Sequence, residues 1–213
     1  MSHTVHTSTT YSDGLCEDGV SKIKDISICT NCSQAFWRED AKLSKELDYE
    51  AMEELEGALD MMDLPWRLDD DRQEKKILFY KDLLENDFAD NDMKEIYLRT
   101  RLWWSINDLV RHLSRWHQAR NLKHLRFILK HRKENMKLFK KYEELLKENL
   151  NRLIFLYIKK GEVDLLYLAD MYREKSDFNK AMEILLKVEQ KGGVYNQMKH
   201  KIRRKNKRVF QLN

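Results

Sequence analysis

The chain has 213 residues, 42% of them hydrophobic and 36% charged, with one proline and six glycines. That apolar content can build a real core, which excludes global disorder, and the scarcity of helix breakers favours helices with solvated outer faces. The formal net charge of +4 hides a division: residues 1–95 carry 24 Asp/Glu against 11 Lys/Arg (−13), and residues 96–213 carry 12 against 29 (+17).

The opening stretch, MSHTVHTSTTYSDG, lacks the basic-then-apolar order of a secretory signal. The longest uninterrupted apolar run, Leu153 to Ile158, is too short to span a bilayer. Three cysteines, two of them three positions apart, do not make a secreted disulfide framework. These features lead to the expectation of a cytoplasmic protein that does not associate with membranes.

Residues 1–40 read as a small β module. Thr4 to Tyr11, rich in threonine with valine and tyrosine, favours an extended strand, and Asp13-Gly14 is a turn signal. Ile26 to Ile28 and Ala35 to Trp37 flank Cys29-Thr30-Asn31-Cys32, a hairpin whose turn is a CxxC knuckle. Two thiolates from one tight turn are half of a zinc ribbon, and a structural site needs four ligands. Cys16 would supply the third and His3 or His6 the fourth, giving one structural zinc. The alternative is a zinc-ribbon-like hairpin that has lost its metal, its cysteines acting as small buried hydrophobes. A thioredoxin-type redox role would need the CxxC at a helix start inside a strand–helix–strand unit, which this setting lacks.

Residues 41–92 read as an acidic helical segment. Leu47, Met52, Leu55, Leu59 and Met62 fall near one stripe of a helix that stops before Pro65. Asp69 to Asp71 then open a second helix, with Ile77, Leu78, Tyr80, Leu83 and Leu84 as its apolar positions. Acidic residues there complement the helix dipole, so this run is a cap and not a metal site.

Residues 93–198 form the expected helical body. A helix runs from Met93 to Trp116, with Tyr97, Trp103, Trp104, Ile106, Leu109, Val110, Leu113 and Trp116 as its apolar residues. Adjacent tryptophans on a helix point in different directions, one toward the core and the other toward a neighbouring helix or groove. Further helices are expected from Leu122 to about His131 and from Met136 to Ile158, with Gly161 as a separator. The basic tail, 199–213, ends in Val209, Phe210 and Leu212, which predicts that it docks on the body.

Residues 162–195 carry a tetratricopeptide spacing of large, small and aromatic positions. It is held by Leu165, Leu168, Ala169, Tyr172, Phe178, Ala181, Leu185 and Val188. Ala169 and Ala181 would let two antiparallel helices approach closely. Gly193 stands where that family places a helix-ending proline, and Gly192-Gly193 can itself stop a helix. Taken with YSDG, ICTNCSQAFWREDA and EIYLRTRLWWSIND, this stretch resembles a group of small bacterial proteins with a CxxC knuckle before a tetratricopeptide-like body. Thr30 and Ser33 replace the usual proline and glycine of that knuckle. The resemblance implies a mainly α fold of antiparallel helical hairpins with a small N-terminal β-hairpin, and it brings no biochemical activity with it.

Neither a Gly-rich phosphate loop, nor a nucleophile elbow, nor HExxH is present, so the expectation is a protein that is not an enzyme. A helical-repeat adaptor for a protein or peptide is the leading reading, with outward residues such as Asp170 and Arg173 lining its concave face. Between Arg111 and Lys141 lie eleven Lys/Arg, four histidines and one acidic residue, Glu134. A stripe of Arg111, Arg115, Arg126, Lys130, Lys133 and Lys137 would suit an acidic partner or the chain's own acidic half. The alternative is nucleic acid bound through counterion release, with the basic tail adding to the field.

Overall fold

A computed structural model describes residues 9–17, 25–29, 32–41, 70–111, 121–161 and 164–212. The chain divides into two compact units: Met1–Thr7 with Asp18–Trp66, and Ser8–Glu17 with Arg67–Asn213. The described part of the first unit is an antiparallel hairpin. In it Ile26 faces Trp37, Ser27 faces Phe36 and Ile28 faces Ala35. Its turn is closed by the Cys29 amide donating to Gln34 O and the Ser33 amide donating to Cys29 O, both at 2.8 Å. Ser33 takes a left-handed φ of 58°.

The second unit begins with two short strands, β1 (Thr9–Thr10) and β2 (Cys16–Glu17), paired antiparallel; the hairpin of the first unit supplies β3 (Ile26–Ile28) and β4 (Ala35–Trp37). The Asp13-Gly14 turn forms as expected, with Gly14 at φ +78°. Helices α1 (Asp70–Glu85), α2 (Asp92–Arg111), α3 (Leu122–Lys141) and α4 (Glu143–Lys160) follow. Then come α5 (Leu165–Glu174), α6 (Phe178–Leu185) and α7 (Gly193–Arg203). The described residues are mainly helical, and the local chemistry explains where several helices begin and end. The Asn91 side chain accepts from the Lys94 amide at 2.9 Å at the start of α2. Asp164 and Asp177 cap α5 and α6 by accepting from the Leu166 and Lys180 amides, the usual service of a short acidic side chain at an N-cap. Gly161, at φ +81°, ends α4 in the left-handed conformation that glycine adopts without strain.

Helix α2 is the spine. It packs against α1, α3 and α4, while α5 packs against α4, α6 and α7. Leu102, Trp103, Ile106 and Leu109 of α2, Leu146, Leu150 and Leu153 of α4, and Leu168, Ala169, Ala181 and Leu185 of α5–α6 share one buried core. The expected contrast between the tryptophans is present: Trp103 is fully buried, and Trp104 is half-buried with its indole N–H on Asp13 O at 2.8 Å. The tail docks as predicted. Val209 is buried, Gln211 bridges Tyr11, and the Leu212 and Ser12 amides donate to Thr10 O and Phe210 O.

Three expectations are corrected. The break expected between His131 and Met136 does not exist; α3 runs to Lys141 and the interruption falls at Tyr142. The charged run HRKEN loses apolar periodicity without containing any helix breaker, so the helix continues through it. Gly192-Gly193 does not end α6, which stops at Leu185; Gly192 instead precedes α7, and that helix carries the first residues assigned to the tail. The predicted N-terminal strand is described only from Thr9. The acidic helix over Leu47 to Met62, and Leu113 to Trp116 of the α2 expectation, lie outside the described residues.

Candidate functional site

Helix α3 has two unlike sides. Phe139 is buried in the core, with Met136 and Leu138 packed partly against it. Lys123, Arg126, Lys130, Lys133, Lys137, Lys140 and Lys141, all out of phase with Phe139, are exposed, and so is Arg132, seven positions from Phe139. Lys141 pairs with Glu74 at 2.6 Å, and Lys130 lies 3.9 Å from Glu134. Lys123, Arg126, Arg132, Lys133, Lys137 and Lys140 form no ion pair with any described residue. At 3.6 residues per turn, Leu122, Arg126, Leu129, Lys133, Lys137 and Lys140 fall on one stripe about 27 Å long. Both leucines of that stripe are open to solvent, Leu122 at 76% and Leu129 at 47%. The stripe is therefore cationic with two apolar contacts set among the charges.

Three of the six residues predicted for a basic stripe thus share the observed one, Arg126, Lys133 and Lys137, and Lys130 is exposed beside it, 3.9 Å from Glu134. Arg115 lies outside the described residues. Arg111 is a correction. Its guanidinium is fully buried and donates to both oxygens of Asp13, at 2.9 and 2.6 Å, with a third bond to Asp108 at 2.9 Å. Burial works against its charge, but Asp13 and Asp108 outweigh burial and hold the proton on Arg111 more firmly than usual. The reason is topological: the Asp13 turn lies 98 positions away in sequence and closes over the end of α2.

Asp170 and Arg173 are a second correction. Expected on an outward concave face, both are fully buried. Arg173 Nε donates to Asp170 Oδ1 at 2.8 Å, and its other nitrogens reach Glu174 Oε1 at 3.2 Å, Asn206 O at 2.5 Å and Arg208 O at 2.8 Å. Glu174 Oε2 accepts from the Trp103 indole at 2.6 Å and from Asn107 at 2.9 Å, and Asn107 also donates to Asp13 Oδ2 at 2.9 Å. The β1–β2 turn, α2, α5 and the C-terminal tail are thereby joined in one solvent-inaccessible ionic cluster. Asp13, Asn107, Trp103 and Glu174 were not among the predicted site residues. The available signals were the Asp13-Gly14 turn and the i, i+3 spacing of Asp170 and Arg173, which by itself also describes an ordinary surface pair.

The cysteines fall in different units. Cys29 and Cys32 sit at the β3–β4 turn, half-buried and exposed respectively, with Cys32 Sγ donating to Gln34 at 3.9 Å. Cys16 belongs to the helical unit, on β2, where it accepts from the Thr10 hydroxyl at 3.7 Å. His3 and His6 lie outside the described residues. Among the described residues no three His, Cys, Asp or Glu side chains converge as a metal-binding group. The two knuckle thiols by themselves answer half of a tetrahedral set. Among the same residues no helix is long and apolar enough to cross a membrane.

The chain matches no protein-family model, no curated protein and no solved structure.

Proposed function

We propose that the protein is a non-enzymatic interaction adaptor whose recognition surface is the outward stripe of α3, and that its partner is a protein bearing an acidic segment. The observation that carries this reading is the row of exposed cations on α3 without ion-pair partners among the described residues. The α5–α6 hairpin belongs to it as one tetratricopeptide-like unit, serving to brace the body.

Protein is favoured over nucleic acid by Leu122 and Leu129. Phosphate backbones are bound by charge and hydrogen bonding, and an exposed leucine between lysines gains nothing from them. A protein partner can cover both leucines with apolar side chains while its carboxylates meet the cations. Direct titration separates the two classes. The intact chain is expected to bind arbitrary duplex DNA or single-stranded RNA no better than millimolar at physiological salt. Micromolar binding to either, with affinity falling steeply as salt rises, would assign the stripe to nucleic acid instead.

A further inference from the structure

The buried cluster has a charge imbalance that the proposed adaptor role does not use. Three carboxylates, Asp13, Asp170 and Glu174, and two guanidiniums, Arg111 and Arg173, have side chains that are wholly inaccessible to water. Asp108 lies at the rim, where Lys76 meets it at 3.3 Å. Were every group ionised, the dry interior would hold one uncompensated negative charge, which is costly in a low dielectric.

We propose that the Asp170–Glu174 pair holds one proton while the chain ends are docked, and that losing this proton as pH rises unlatches the C-terminal strap, residues 206–212, from the body. The two acids stand one turn apart on α5. Helices α4, α6 and α7, which also pack on α5, form no hydrogen bond or ion pair with either acid among the described residues, and Lys201 of α7 lies instead over the Phe210 ring, 5.0 Å from its centre. Helix α2 offers Trp103, Asn107 and, through Asp13, Arg111. The N-terminal turn offers Ser12 and Asp13, α5 itself offers Arg173, and the strap offers only backbone carbonyls and the Phe210 ring. No further cation faces the pair among these groups.

One carboxylate oxygen, Asp170 Oδ2, is buried and accepts no hydrogen bond of ordinary geometry from the described residues, although the Ser12 hydroxyl nearby favours the ionised form. An oxygen left in that state is free to carry a proton. Burial, reinforced by the Asp170 charge, pushes Glu174 well above the usual carboxylate range, and burial also raises Asp170 against the pull of Arg173. The sign follows from linkage. An acid whose pKa is raised on folding leaves stability whole at low pH and withdraws it as pH climbs from the unfolded value through the folded one.

The strap is where the cluster would open. It is held by Arg173 donating to the Asn206 and Arg208 carbonyls and by the backbone bonds Leu212 N to Thr10 O and Ser12 N to Phe210 O. Helices α2 and α5 are locked in the core, so water reaches a newly ionised pair most cheaply by lifting these irregular ends.

The test follows the full chain from about pH 5 to about pH 9, the range above the ordinary carboxylate pKa. It measures denaturant unfolding together with hydrogen-exchange protection of the Ser12 and Leu212 amides, corrected for intrinsic exchange. In the wild type the unfolding constant is expected to rise with pH, by up to tenfold per unit where the pair titrates, with strap protection falling before that of the α2 amides. Glu174→Gln, or Asp170→Asn if the first variant does not fold, is expected to flatten both trends. Equal pH slopes in the wild type and a folded variant, or strap amides whose protection in the wild type is constant across the range, would overturn the proposal.

Discussion

Gly14 shows how tightly single residues constrain the joined chain ends. Its φ of +78° lies in the region that side chains rarely adopt, and a Cβ added there would stand 3.0 Å from Cε2 of Tyr167. That ring has little room to move, being packed against Trp103 at 5.1 Å and edge-on to Tyr157 at 5.6 Å. Gly14→Ala is expected to destabilise the fold by about 1–2 kcal/mol, from left-handed strain and the displaced ring together. Chemical denaturation measures this, and a loss below about 0.5 kcal/mol, the range of an unremarkable surface change, would show that the turn is not pinned. At this scale the sequence was partly informative. The Asp13-Gly14 turn and the opposed roles of Trp103 and Trp104 could be read from residue type and helical geometry. The burial of Asp170, Arg173 and Arg111 could not, because an acid and a base three apart on a helix are identical in sequence whether solvated or enclosed. Their enclosure depends on Asp13 and on the carbonyls of residues 206 and 208, at opposite ends of the chain.

At the scale of elements, the α5–α6 hairpin is the part most fully encoded locally. Asp164 and Asp177 cap its two helices, and Ala169 and Ala181 are fully buried where α5 packs on α6. Ala181→Trp is expected to overpack this contact and cost about 1–3 kcal/mol. By contrast, Lys180→Ala removes only an exposed pairing with Glu183 and should stay within about 0.5 kcal/mol. Equal melting temperatures for the two variants would mean that Ala181 does not sit at a close approach of helices. The boundary between α3 and α4 was harder to read, since neither glycine nor proline marks Tyr142. Tertiary contacts place the interruption: the Tyr142 hydroxyl and Lys141 both bond Glu74 of α1 at 2.6 Å. Those two partners hold Glu74 below the usual carboxylate range, so this junction keeps its pairing at neutral pH and loses it only in acid.

For the whole molecule, the charge division visible in the sequence becomes two different structural uses. Some basic residues, Arg111 and Arg173, are consumed inside, joining the β1–β2 turn and the C-terminal tail to α2 and α5. Others are set outside on α3, where the described residues leave six of them without ion pairs. A count of charges along the chain cannot separate these uses; the helical phase of Phe139 against Arg126, Lys133 and Lys137 can, once the true length of α3 is known. The most direct test of the recognition surface is capture from the native host with the triple variant Arg126→Glu, Lys133→Glu, Lys137→Glu beside the wild type and Leu129→Ser. Because the three cations have no ion-pair partners among the described residues, the triple variant should fold and melt within a few degrees of the wild type. The account predicts that a protein partner with an acidic segment, retained by the wild type, is lost from the triple variant and weakened by Leu129→Ser. Retention of the same partner by a folded triple variant would contradict it.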